Sequence, residues 1–464
     1  MSLAEIQSTL WSSRVRFVCL VIVLGFLMGA GSLSAQEAGG AAGVPAFVPS
    51  DAGQQIDAGR TAWMLVSTAL VLLMVPGLAL FYGGMVRHKN MINTIMLSLI
   101  CMAVIGVEWV LIGYNMAFGE SIGGLFAWSE GGLGLSNIEW YQVNGSGVPE
   151  LVFVMFQGKF AIITPALITG AIVERVRFSA FIVFALLWAV FVYNPLAHMV
   201  WGAGGWLFDA GVLDFAGGTV VHISAGISAL VLVLVYLRKR IGYPEDAIRP
   251  GSPFQTMLGA GLLWVGWFGF NAGSAIATAD DFMLRAGLAF TTTQIAASAA
   301  ALTWILIEWI AHGKPTGIGL ASGMVAGLVA ITPAAGHVTP MSALVLGIAS
   351  GALCYAAVMA KGRLGYDDTL DVFGVHGIGG IVGALGTGLL VTIGSQHLGW
   401  FVGGDIQQFK LQALGVGFGI VFAGLGTLIL GALVHFTIGF RVTSKEETLG
   451  LDLTQHGEAG INLR

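Results

Sequence analysis

The sequence predicts an all-α polytopic membrane protein with eleven transmembrane helices, arranged as a 5+5 inverted repeat plus a final helix. Three observations support this fold class: the composition, the spacing of the apolar runs, and the placement of Lys and Arg. Hydrophobic residues make up 56% of the 464 positions and charged residues only 10%, whereas a water-soluble domain carries about 25% charged residues. The composition therefore excludes a soluble domain, and the net charge of −5 does not indicate a nucleic-acid partner.

The apolar residues fall in separate runs of roughly 20, each long enough to cross about 30 Å of hydrocarbon as a helix. The alternating pattern of barrel strands is absent, so helices are the expected membrane structure. The predicted spans are 61–84, 91–117, 151–173, 178–196, 218–237, 254–272, 284–310, 317–334, 341–360, 371–394 and 412–438.

The positive charges orient these spans. If alternate loops are taken as cytoplasmic, that set holds fourteen Lys and Arg, whereas the opposite set holds four, namely Arg60, Lys159, Arg285 and Lys410. Cytoplasmic loops carry such an excess of positive charge. The asymmetry predicts an N-terminus outside and a C-terminus inside, in a multi-pass protein of the cell (inner) membrane.

The N-terminus has the pattern of a secretory signal peptide. Arg14 and Arg16 precede an apolar stretch and then a small-residue patch that ends at Ala35. We expect residues 1–35 to be the signal peptide, 36–60 an extracytoplasmic tail, 61–440 the transmembrane domain and 441–464 a cytoplasmic tail. An uncleaved additional helix is the alternative interpretation of the first segment.

Ionisable residues inside spans are the first candidates for function, since each costs roughly 2.5–3.5 kcal/mol to insert. Four are present: Glu108, His222, Glu308 and His376. Lone buried histidines are commonly satisfied by helix backbone, and Glu108 has no functional interpretation beyond pairing across a helix interface.

The two histidines have similar settings in the two predicted halves. Asp214 precedes His222 by eight residues, and Asp371 precedes His376 by five. A five-span repeat is inserted in opposite orientations, so the histidines are expected to meet near the bilayer midplane as a pseudo-symmetric pair. They would form a polar axis in an apolar bundle.

Such an axis restricts the possible substrates. Its surroundings hold too few charges to compensate a metal ion or a phosphate, and a bare cation in a low-dielectric pore costs tens of kcal/mol. A small weak acid with a neutral conjugate base fits better, and ammonium is one such acid. Neutral imidazoles can hydrogen-bond the neutral form or relay a proton.

Six motifs resemble those of the Amt/Mep/Rh ammonium transporter family, in its Amt type. They follow one another in the family's order across nearly the whole chain beyond the signal peptide, and they comprise Phe81–Gly84, Phe156–Phe160, Ala197–Gly202, Asp214–His222, Gly266–Ser274 and Asp371–Gly377.

The resemblance implies an outer vestibule in which Phe156, Phe160, Trp201 and Ser274 bind the cation. Aromatic faces attract cations by about 0.5–2 kcal/mol, and a hydroxyl can accept an ammonium N–H. Without the resemblance, each aromatic would be interpreted as an interface-belt or core residue.

The resemblance also implies a gate, a pore and further lining residues. Phe160 and Phe270 match the family's stacked gate, and His222 and His376 its twin pore histidines. Asp214 matches an aspartate that orders the vestibule backbone, which is compatible with a helix cap. Four other residues match lumen or vestibule positions: Tyr82, Trp267, Asn271 and Thr332.

The segment from Arg441 to Glu458 resembles the family's cytoplasmic tail. It implies contact between subunits of a homotrimer and a PII nitrogen-regulatory protein as a partner in nitrogen assimilation. Neither a cofactor nor a metal is expected, and no enzymatic activity.

Three alternatives remain open at this point. A Rhesus-type ammonia gas channel shares the fold, but Trp201 favours cation binding. An ammonium sensor would signal through a cytoplasmic partner, because only 24 residues follow Phe440. An intramembrane enzyme using His and Asp is disfavoured, since no HExxH or GxSxG motif or pair of in-membrane aspartates is present.

Overall fold

The computed structural model describes residues 55–244, 249–278 and 281–460. The predicted signal peptide, most of the extracytoplasmic tail and the last four residues lie outside this part of the chain. What is described is mostly helical, and every predicted span corresponds to one helix.

We number these helices α1 to α11 in chain order. They are Ala58–Met85, His88–Phe118, Glu150–Ile172, Phe178–Asp209, Gly218–Tyr236, Pro253–Gly273, Phe282–His312, Gly317–Ile331, Pro340–Leu364, Phe373–Leu390 and Gln407–Thr437.

Within the described ranges, nine of these helices are long and apolar enough to cross a membrane, all except α6 and α8. Helix α8 has 15 residues, fewer than the ~20 that span the hydrocarbon. The chain is thus a multi-pass helical membrane protein. That all eleven helices cross the membrane, and in which orientation, stays a prediction.

The helix ends follow local chemistry. The side chains of Ser252, Thr316 and Thr339 cap the N-termini of α6, α8 and α9 by accepting a backbone N–H three residues ahead. Gly313 and Gly365 end α7 and α9 in the left-handed conformation, which glycine adopts without steric penalty. Between α2 and α3 lies an antiparallel pair of two-residue strands, β1 (Ser121–Ile122) and β2 (Phe126–Ala127), with Ser121 opposite Ala127 and Ile122 opposite Phe126.

Small residues set how closely the helices pack. Helices α1 and α6 touch along a glycine-lined seam, where a Cβ on Gly84 would collide with Thr256 and one on Gly259 with the backbone of Phe81. Such contacts let membrane helices approach closely where no hydrophobic driving force exists between them.

A network of buried charges joins the loops at the predicted cytoplasmic end. Arg87 pairs with Glu174 at 2.8 Å, Arg240 bridges to Asp367 at 2.6 Å, and Arg175 reaches Asp367 at 3.3 Å. Burial opposes ionisation of Glu174, but Arg87 and Arg240 hold its pKa below the usual value. The network ties the end of α3 to the loops after α5 and α9.

The tail packs onto this same end. It contains α12 (Ser444–Leu449) and a π-helical turn, Asp452–His456. Asp452 Oδ1 accepts the Asn93 N–H at 2.8 Å, and the Leu451 N–H donates to Asn90 Oδ1 at 2.9 Å. The tail is therefore anchored to the start of α2.

Candidate functional site

The two histidines meet where α5 and α10 cross. The helices touch at glycines, since a Cβ on Gly226 would collide with the backbone of Gly377. His222 and His376 each lie in a π-helical stretch, and both are buried. Their Nδ1 atoms are 3.3 Å apart and their rings are stacked at 5.3 Å. One imidazole donates and the other accepts, so the pair shares a proton between the Nδ1 atoms.

An aspartate caps each histidine-bearing stretch. Asp214 accepts four backbone N–H groups, from Gly217 to Val220, at 2.5 to 3.1 Å. Asp368 accepts two, from Val372 at 3.1 Å and Phe373 at 2.8 Å. Burial raises the pKa of both carboxyls to about 6 although these donors oppose it.

The expectation that Asp371 is the counterpart of Asp214 is wrong. Asp371 has a left-handed φ of 63° and its carboxylate forms an ion pair with Lys361, whereas the N–H groups of Val372 and Phe373 donate to Asp368. Asp368, which lies eight residues before His376, caps the start of this helix instead. The same spacing separates Asp214 from His222, and this equal spacing is the signal in the sequence that would have identified Asp368.

Aromatic rings close one side of the histidine pair. Phe160 of α3 packs against Phe270 of α6 with ring centroids 4.3 Å apart. Phe156 lies one turn away, 5.0 Å from Phe160, and Trp201 of α4 contacts Phe160 edge-on at 5.9 Å. The three Phe rings are buried, whereas Trp201 is partly exposed. The structure thus brings together Phe156, Phe160, Trp201 and Phe270, which the sequence separates widely.

Ser274 lies at the end of the same α6 segment. Its hydroxyl donates to the Phe270 carbonyl at 2.8 Å, which leaves the lone pairs of Oγ able to accept a hydrogen bond. A Cβ on the preceding Gly273 would press into the Phe156 ring, so this turn lies directly against Phe156.

An enclosed cavity lies beside the histidine pair. His222, His376, Trp267 and Phe270 contribute to its wall, and the remaining lining is apolar, with Phe81 and Val325 among it. His222 Nε2 has no hydrogen-bond partner among the described residues. The two imidazoles therefore supply the polar ring atoms of an otherwise apolar wall.

Four further predicted residues support this wall. Trp267 stacks on His222 at 5.4 Å, and its indole N–H donates to Thr332 at 2.9 Å. The Asn271 amide donates to Thr293 at 2.9 Å, and the Tyr82 hydroxyl donates to the Leu167 carbonyl at 3.0 Å. Phe81, the neighbour of Tyr82, also lines the cavity, although the sequence alone does not mark it as a lining residue, because an apolar residue in an apolar span carries no distinguishing signal.

The other two in-span acids each accept hydrogen bonds. Glu108 accepts from the Asn194 amide at 2.8 Å, so the expected pairing across a helix interface is confirmed. Glu308 accepts from the backbone N–H and hydroxyl of Thr316 at 2.9 to 3.2 Å and so holds the start of α8. In the described part of the chain, no group of three His, Cys, Asp or Glu is placed to hold a metal.

Comparison with known proteins gives a consistent result. The family model of the Ammonium Transporter Family matches residues 62–461. The chain is 47% identical over 437 residues to an ammonium transporter of Mycobacterium tuberculosis, covering 88% of this chain and 91% of that protein. It is 46% identical over 406 residues to an ammonium transporter of Bacillus subtilis, covering 86% and 98%.

A solved structure shows the same fold. The crystal structure of Saccharomyces cerevisiae Mep2 matches with a TM-score of 0.78 and 33% identity, covering 85% of this chain and 90% of that one. The extent of these matches and the geometry around the histidine pair agree: this chain belongs to the ammonium transporter family.

Proposed function

We propose that this chain is an Amt-type ammonium transporter, which binds ammonium at the outer vestibule and conducts ammonia through the cavity beside the histidines. The observation that carries the proposal is the buried imidazole pair, with Nδ1 atoms 3.3 Å apart, in an apolar cavity behind stacked Phe rings. Such a route suits a small neutral molecule that can accept or donate one hydrogen bond.

The first step is capture of the cation. The partly exposed Trp201 and the neighbouring Phe156 supply aromatic rings, whose faces attract a cation by about 0.5–2 kcal/mol each, and Ser274 Oγ can accept an N–H. The Trp201 indole donates to the Asp214 carbonyl at 2.7 Å, which fixes the ring. Above pH 6 the Asp214 carboxylate adds negative potential behind the site, since its pKa is about 6.

The second step is loss of charge at the gate. Phe160 and Phe270 offer no polar atom to replace the hydration of an ion, and an unpaired charge in such surroundings costs tens of kcal/mol by Born estimates. Ammonium therefore gives up its proton to water in the vestibule before the rings, and ammonia passes when they part. The proton then follows by relay through the histidine pair.

The third step is passage along the histidines. Ammonia can donate to, or accept from, a ring nitrogen according to the tautomer of the pair. His222 Nε2 is available for this, since it has no partner within the described residues. Stacking of Trp267 on His222 at 5.4 Å keeps the ring turned along the cavity.

Uptake of radiolabelled methylammonium into proteoliposomes tests the assignment. Phe160→Ala and His222→Asp are expected to change the flux, because one removes the gate and the other places a carboxylate in the pore. Phe268→Ala is the matched control, since Phe268 lies on the same helix as Phe270 but stacks on Phe290 at 4.0 Å instead of on the gate. Unchanged flux in both the Phe160→Ala and the His222→Asp variants would contradict the proposed pore.

An electrical measurement separates the transporter from a Rhesus-type gas channel. Ammonium-evoked current on a solid-supported membrane is expected, since the proton follows ammonia by relay and net charge crosses the membrane. Flux without current would favour the gas channel. Flux that is absent despite ammonium binding would favour a sensor acting through a partner.

The topology is also part of the proposal: eleven crossings in a 5+5 inverted repeat plus a final helix, N-terminus outside and C-terminus inside, in the cell (inner) membrane. The position of Asp214 and Asp368, each eight residues before a pore histidine, supports the repeat. Labelling of single cysteines in loops from either side of the membrane tests the topology. Cleavage of the signal peptide 1–35, which would leave tail 36–60 outside, is tested by N-terminal sequencing.

We further propose a homotrimer with one pore in each subunit, as the family resemblance implies. The anchored tail, with Asp452 bonded to Asn93, presents a fixed surface on which a PII regulatory protein would bind. Mass measurement in detergent tests the trimer, and binding of a PII protein with and without residues 441–464 tests the partner.

A further inference from the structure

A second polar cluster lies away from the histidine axis, between α2 and α4. Glu108 is only 4% exposed, and Asn194 and Tyr193 are fully buried. Glu108 directly precedes the π-helical stretch Trp109–Gly113, and Tyr193 and Asn194 lie where another such stretch ends. π-Helical turns recur at functional sites, and here a hydrogen bond between Glu108 and Asn194 joins residues that flank two of them.

The chain leaves room for the Glu108 carboxyl at this contact. A Cβ on Gly113 would lie 2.9 Å from Glu108 Oε2 and 3.0 Å from Oε1, so the carboxyl occupies the space above that glycine. Its Oε1 accepts the Asn194 amide at 2.8 Å. One hydrogen bond from Asn194 and the space left by the missing side chain of Gly113 thus position the carboxyl.

Two polar atoms of the cluster are not satisfied by protein. Glu108 Oε2 and Asn194 Oδ1 are buried without a hydrogen bond to any described residue, whereas the Tyr193 hydroxyl interacts with the Thr164 side chain. Leaving such atoms dry is costly. Because the Asn194 amide already bonds the Glu108 carboxyl at 2.8 Å, the two atoms lie close together and supply two of the two to four partners that a buried water requires.

The charge of Glu108 also lacks compensation. The ion pairs of the described residues do not include it. The titratable groups around it add no positive charge: Tyr193 is within electrostatic reach of both Glu108 and Asp214, and Tyr114 of the same helix donates to Glu150. A carboxylate inside a span without a cation is costly, whereas a carboxylic acid is not.

We propose that Glu108 and Asn194 form a closed site that binds water and one proton, with Glu108 as a neutral carboxylic acid. Oε2 then carries the O–H, and water joins it to Asn194 Oδ1. The bound proton keeps a negative charge away from the buried Tyr193 side chain. This site is separate from the route through the histidines and does not depend on the substrate.

Infrared spectroscopy of the full chain in lipid vesicles tests the proton. The wild type is expected to show the carbonyl stretch of a protonated carboxylic acid at neutral pH, and E108Q should lose that component. E308Q is the matched control, because Glu308 is a partly exposed acid at a helix end and its removal should leave the component in place. A folded E108Q protein that retains the full protonated band would overturn the proposal.

Exchange into D2O tests the water. The Glu108 component in the wild type should shift to lower frequency without unfolding, since water reaches the O–H; a component that does not shift would rule out hydration. If E108Q fails to fold, E108D serves instead, because it retains the acid and should move the component to a new frequency. A band unmoved in folded E108D would show that it belongs to another acid.

Discussion

The two histidine-bearing stretches have the same design but are supported differently. Around His222, one carboxylate, Asp214, accepts four backbone N–H groups, and Trp267 stacks on the ring. Around His376, two carboxylates have separate partners: Asp368 accepts two backbone N–H groups, and Asp371 pairs with Lys361. The N-terminus of the first stretch thus depends on a single carboxylate, whereas the acidic support of the second is divided between Asp368 and the Asp371–Lys361 pair.

The largest expected effect comes from removing the capping carboxylates. D214A leaves four N–H groups unpaired and D368A leaves two, at roughly 1–3 kcal/mol for each buried donor. We expect D214A to lose ~4 kcal/mol or more of unfolding free energy and D368A about half as much, measured by steric trapping of the unfolded state in bicelles. D214N and D368N keep an acceptor oxygen and should lose less. Equal losses for the two alanine variants would contradict the difference between the stretches.

The aromatic support gives the next largest effect. W267L removes the ring stacked on His222 and the donor to Thr332. An aromatic pair contributes about 0.5–1.5 kcal/mol, which corresponds to a roughly 2- to 10-fold fall in methylammonium flux. F373L, in the other stretch, is the control and should have little effect, since Phe373 packs near Tyr366 and not on a pore histidine. An equal fall in both variants would show that ring stacking is not specific to His222.

The two aspartates should respond to acid from opposite sides of the membrane. Burial raises the pKa of both Asp214 and Asp368 to about 6, so each is ionised at neutral pH and becomes neutral as the pH falls below that value. Acidifying the vestibule side should remove about half of the ammonium-evoked current near pH 6, because the negative potential behind Trp201 is lost. D214N should be insensitive to pH in this range. A current that falls equally when only the opposite side is acidified would contradict the assignment of Asp214 to the vestibule.

The smallest effect is expected at Asp371. D371N breaks the ion pair with Lys361 but keeps a residue that tolerates the left-handed φ of 63°. A pair near the surface contributes roughly 0–1 kcal/mol, so thermal unfolding should shift by only a few degrees at most. D371V is the contrasting variant, since a β-branched residue is strained at this φ, and it should lower the melting temperature further. A large loss in D371N would show that Asp371, like Asp368, supports the helix terminus.

Much of the helical framework followed from sequence because the signal for it is local. An apolar run of about 20 residues has few alternatives to a helix in a membrane, and the eleven predicted spans each coincide with a helix. The shared motifs likewise placed Phe160, Phe270 and the histidines in one site. The eight-residue spacing of Asp368 and His376 was also present but was obscured by Asp371, which lies nearer to the histidine.

By itself, then, the sequence determined the helices, the family and the residue types around the histidine pair. Tertiary structure alone decided which groups meet: Gly226 against Gly377 brings two imidazoles within 3.3 Å, and Asn194 reaches Glu108 across a separation of 86 residues. The physical reason is that a periodic pattern fixes a helix and its faces, whereas the contact between two helices depends on how closely small residues let them approach and in which register.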